Sequence, residues 1–160
     1  MDSLLHTEEE EDVVAAGPAH QAFWFFLHAL LALLAWAGLM FAGDILHPQI
    51  SQTVILLLSF AVPLIAGNLI NRARQDDMAT LVWLIGMIWI LMVSLWVLDM
   101  PTGPNECFQC DATDKLTRTF FSLPRPSGLI DNDGPFLGTW PTAALIGYSI
   151  GARLALRRRS

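Results

Sequence analysis

Residues 23 to 43 read FWFFLHALLALLAWAGLMFAG, a run without a single Asp, Glu, Lys or Arg. As a helix such a run is about 30 Å long, the thickness of a bilayer's hydrocarbon core. In lipid the backbone must satisfy its own hydrogen bonds, so a single run of this kind can cross only as a helix. The apolar residues of the chain fall into blocks at 22–43, 53–70, 79–98 and 136–152. Together they predict an all-α integral membrane protein with four transmembrane helices. Composition agrees: 54% of the 160 residues are hydrophobic and 15% are charged, against about 25% charged in an ordinary soluble domain.

The distribution of basic residues sets the expected orientation, because Lys and Arg bias their loops to the cytoplasmic side. Four crossings place the N-terminus, the NRARQDD turn and the RRRS tail on one side, with Arg72, Arg74, Arg157, Arg158 and Arg159. The other side carries only Lys115, Arg118 and Arg125 in a longer loop. Both termini are therefore expected inside, facing cytoplasm, stroma or matrix, in a bacterial inner membrane or an organellar one. The chain divides into an acidic tail at 1–19, helices 1 to 3 at 20–98, an outer loop at 99–135, and helix 4 with its basic tail at 136–160. The tail has an acidic run and no Lys or Arg, unlike the basic start of a signal peptide, so it is expected to stay on the mature protein.

In the first helix His28, Ala32, Ala35, Leu39 and Ala42 fall at alternating spacings of four and three. They predict one packing face, since small residues let helices approach closely in lipid. In the fourth, Ala143, Gly147 and Gly151 recur every four residues, a small-xxx-small stripe for close helix association. Pro63 deprives the Ser59 carbonyl of its helical donor. No internal repeat relates the two halves.

The only cysteines, Cys107 and Cys110, stand in a C-x-x-C spacing in NECFQCDATDK, at the start of the outer loop. On an oxidising side they can close a structural disulfide; a redox-active pair and an unbridged or metal-ligating pair are the other readings. Structural zinc needs four ligands and the loop has no His. In outline the chain resembles the four-helix bacterial disulfide-generating quinone reductases and vitamin K epoxide reductases. The resemblance extends only to helix count and a C-x-x-C, and those enzymes relay electrons through two cysteine pairs where this chain has one. Turn-rich segments alternate in the loop with TFF and GLI, which predicts a folded cap on the outer surface.

His28 is the one ionisable side chain expected inside the membrane, and such residues are functional candidates. It could bind haem or a pigment through a ring nitrogen, or hydrogen-bond a quinone. A bis-histidine haem would need a second intramembrane His, and the other helices have none. With both termini inside, His20, Asn68, Asn71, Tyr148 and Arg153 share a leaflet with His28 and could complete a cofactor, quinone or lipid pocket; Asp44, His47 and Asp99 could cluster at the outer surface. No nucleophile motif, phosphate loop or basic groove for nucleic acid is present. The sequence favours a small accessory subunit of a larger membrane complex, energy-transducing or photosynthetic, over a thiol oxidoreductase or a cofactor-binding protein. Other membrane subunits and lipids are its expected partners.

Overall fold

The computed structural model describes residues 17–46, 51–100, 110–121 and 137–158, and every regular element among them is helical. In chain order these are α1 (Pro18–Leu46), α2 (Gln52–Ala73), a 3₁₀ turn (Asp77–Leu81), α3 (Trp83–Asp99), α4 (Ala112–Phe121) and α5 (Thr139–Arg157). Pro18 stands in the first turn of α1, where a missing N–H costs nothing, and the amides of His20 and Gln21 close back on the Gly17 carbonyl. The Ser51 hydroxyl caps α2 by accepting from the Val54 amide at 3.3 Å. Among the described residues, three segments are long and apolar enough to cross a membrane: Pro18–Gly43, Thr53–Ala73 and Asp77–Asp99.

The expected third helix does not start as one continuous α-helix. Asp76 accepts from the Met78 amide at 2.9 Å, a local side-chain bond that starts the 3₁₀ turn. The α-helix follows at Trp83, whose amide donates at 2.8 Å to the Ser149 hydroxyl on α5.

The fourth apolar block forms α5, and its surroundings differ from those of the three long helices. Trp140, Thr142, Ala144, Leu145, Tyr148, Ser149, Ala152 and Ala155 along it are all buried, and it touches α1, α2, the 3₁₀ turn and α3. Its closest neighbour is α2. Phe60 lies against Gly147, and Leu64 and Asn68 against Gly151. Numbers rise together on both helices, so α2 and α5 run parallel. A methyl at Gly147 would collide with the Phe60 carbonyl oxygen, and one at Gly151 with the Leu64 carbonyl oxygen. Gly67 of α2 reciprocates, since a methyl there would strike the Tyr148 carbonyl oxygen. Contact at this range lets dispersion act between backbones without a hydrophobic driving force, as helix association in lipid requires.

The core built around this seam is small-residue and shallow: Ala29, Ala32, Ala79, Val82, Leu145, Tyr148 and Ala152. The α1 packing face is only half used. His28, Ala29 and Ala32 are buried, whereas Ala42 and Phe41 are exposed, Phe41 by 70%. At the far end of α3, Phe120 of the amphipathic α4 and Cys110, just before that helix, pack on Val93 and Val97. Lys115 of α4 donates its ammonium to the Met100 carbonyl at 2.6 Å and the Leu98 carbonyl at 3.4 Å. A cation there meets the negative end of the α3 dipole. The Thr139 hydroxyl at the start of α5 donates to the Phe120 carbonyl at 2.7 Å, tying α4 to α5.

Candidate functional site

The end of the bundle where α1 begins and α2 and α5 finish holds a buried polar cluster. His28 of α1 is 2% exposed and Tyr148 of α5 is fully buried. The His28 Nδ1 lies 2.8 Å from the Tyr148 hydroxyl, and the His28 Nε2 lies 3.4 Å from Asp76 Oδ2. A carboxylate facing Nε2 favours the tautomer with its proton there, leaving Nδ1 to accept from the Tyr148 hydroxyl. Asp76 reaches this position because the chain leaves α2 at Arg74 and turns back before the 3₁₀ turn. Asn71 fixes that turn: its Oδ1 accepts from the Asp76 amide at 2.8 Å, while its Nδ2 donates to the Ala152 carbonyl at 3.1 Å. One turn deeper, Asn68 Nδ2 donates to the Gly151 carbonyl at 3.0 Å. Two of these bonds join α2 to α5, and the others tie in α1 and the α2–α3 turn, so the cluster knots all four together.

Of the residues expected to share a pocket, the structure brings His28 and Tyr148 into contact. Asn68 and Asn71 lie on the α2–α5 seam and bond to backbone. His20 stands apart on the exposed side of α1, where its Nε2 accepts from Trp24 Nε1 at 2.9 Å. Arg153 is exposed on α5. Asp76 is the member that the sequence reading missed, because the NRARQDD turn was weighed only for its basic residues. The signal was available: an acidic residue just beyond an asparagine-rich helix end falls on the leaflet of the intramembrane histidine.

For cofactor chemistry the geometry is restrictive. The His28 Nδ1 is held by Tyr148, and Nε2 makes no hydrogen bond but faces the Asp76 carboxylate at 3.4 Å, so ligating haem iron or chlorophyll magnesium would either break the Tyr148 contact or displace Asp76. Two grooves open elsewhere on the bundle. One, of about 380 Å³, is lined by Leu33, Trp36, Ile85, Trp89, Pro141 and Leu145 of α1, α3 and α5. The other, of about 450 Å³, lies under α4 between α3 and α5, and Ala143 of the expected small-residue stripe opens onto it. His28 lines neither groove. Among the described residues no group of His, Cys, Asp and Glu is arranged to hold a metal ion. Cys110 is half-buried beside Phe120; Cys107 and His47, and the side chain of Asp44, lie outside the described residues.

No known protein family matches this chain, and no curated protein or solved structure resembles it detectably.

Proposed function

We propose that the chain is a small structural subunit of a larger membrane complex, an assembly or scaffolding element with four membrane-crossing helices and both termini on one side. The observation that carries this reading is how the buried polar groups are used. His28, Asn71, Tyr148 and Ser149 bond to neighbouring helices or their connections, with Asp76 closing the set. They hold a scaffold together and leave the grooves apolar, which suits a protein that offers shape to neighbouring subunits. The parallel course of α2 and α5 supports four crossings, since an odd number of spans must separate the two. Being enclosed by other helices also explains how α5 can carry the buried Thr142 and Ser149 at membrane depth. The outer loop serves in this reading as a cap that a partner recognises. A Cys107–Cys110 disulfide would staple its start, and Cys110 is not a free thiol.

The test is purification in a mild detergent, with cross-linking in the membrane beforehand. A stoichiometric partner band that survives purification is the expected result; a stable lone monomer without any cross-linked partner overturns the reading. Replacing both cysteines by Ser addresses the thiol-oxidoreductase alternative, which requires electron transfer to quinone to vanish while the fold persists.

A further inference from the structure

The tight parallel pairing of α2 and α5 has an electrostatic result at the end of the bundle. The Asn71 amide on the Ala152 carbonyl sets the two helices level there. Arg72 and Arg74 of α2 therefore emerge at the depth of Arg153, followed within the next turn by Arg157 and Arg158, and all five are exposed. Sequence distance hides this, since α2 and α5 are separated by the whole of α3, α4 and the outer loop. The Arg74 guanidinium lies over the Trp24 ring of α1, 3.5 Å from its centroid. Trp24 in turn donates to His20, so Arg74 is backed by an aromatic surface at the level where tryptophans sit among headgroups. Two carboxylates share this end among the described residues: Asp76 is turned inward on His28, and Asp77 is exposed. The result is a group of exposed arginines, a basic collar, at one end of the bundle. Guanidinium groups bind phosphate through paired, charge-assisted hydrogen bonds.

We propose that this collar, with Arg74, Arg153 and Arg158 as its principal members, is a binding site for the phosphate headgroups of anionic phospholipids. Clusters of four or more basic residues directly beside membrane helices attract anionic lipid electrostatically. Here the fold adds Arg72 and Arg74, at the end of α2, to the basic end of α5. The lipid orders the end of the bundle that also holds the His28, Asp76 and Tyr148 cluster, and it does so whether or not the chain has a protein partner.

The experiment uses the full chain in a neutral detergent, titrated with phosphatidylglycerol or phosphatidylcholine and read by native mass spectrometry of retained lipid. Phosphatidylglycerol should be retained preferentially, and each of Arg74→Gln, Arg153→Gln and Arg158→Gln should weaken its binding about fivefold, with losses that accumulate in the triple variant. Arg74→Lys keeps the charge but neither the paired donors nor the stacking on Trp24, so it should lose part of the affinity and fall between the parent and Arg74→Gln. These positions are exposed, so helical content by circular dichroism should not change. Equal retention of the two lipids, or undiminished phosphatidylglycerol binding in the triple variant, overturns the proposal. So does complete displacement by inorganic phosphate at matched concentration, which would make the collar a site for free anions. None of these outcomes depends on finding a protein partner.

Discussion

The contact between His28 and Tyr148 joins residues 120 positions apart in the chain, and its energetics follow from burial. Removing the hydroxyl with Tyr148→Phe leaves Nδ1 of an almost fully buried imidazole without its donor. An unsatisfied buried polar group costs about 1–3 kcal/mol. Thermal unfolding in detergent should show a clear drop in Tm for this variant. His20→Ala removes only an exposed bond to Trp24 and should lower stability by less than about 0.5 kcal/mol. A Tm for Tyr148→Phe equal to that of the parent would mean that the hydroxyl is not part of the knot. Asn71 holds both the Asp76 amide and the Ala152 carbonyl, so Asn71→Ala should be at least as costly as Tyr148→Phe in the same assay.

At the scale of elements, the α2–α5 seam makes a graded prediction. Gly151→Ala pushes a methyl into the Leu64 carbonyl and Gly147→Ala into the Phe60 carbonyl. Backbone cannot yield as a flexible side chain can, and overpacking costs about 1–3 kcal/mol or more. Gly38 of α1 has open space around it, so Gly38→Ala should be neutral or stabilising by up to about 1 kcal/mol through helix propensity. Comparing the three Tm values separates close approach from any general intolerance of alanine. The junction of α3 and α4 tests a different interaction. Lys115→Met keeps the apolar stem but removes the ammonium from two carbonyls at the end of α3, for an expected loss of about 1–3 kcal/mol. Proteolysis of the segment after Asp99 should quicken in that variant.

For the whole molecule, the proposed fourth crossing by α5 would put the two termini on the same side. Single cysteines introduced by Ser3→Cys and Ser160→Cys, in a chain lacking the native pair, should react together with an impermeant thiol reagent from one face of the membrane. Labelling from opposite faces would leave three crossings. If Cys107 and Cys110 form the proposed bridge, the loop-closure model gives so short a segment only about 2 kcal/mol of stabilisation. Cys107→Ser with Cys110→Ser should therefore lower Tm modestly and leave the bundle assembled.

Much of this architecture is legible in the amino-acid order, because lipid imposes a one-dimensional rule: long uncharged blocks must be helices, and block length alone shows it. The sequence on its own determined an all-helical chain with apolar segments long enough for a membrane, and it singled out His28, Tyr148, Gly147 and Gly151. The partners of those residues were another matter. Helix periodicity says which residues share a face, but not which helix that face meets. The pairing of α2 with α5 and the inward turn of Asp76 depend on contacts between segments far apart in the chain. Only the tertiary structure decided them, because packing distance and hydrogen-bond geometry are properties of pairs of elements.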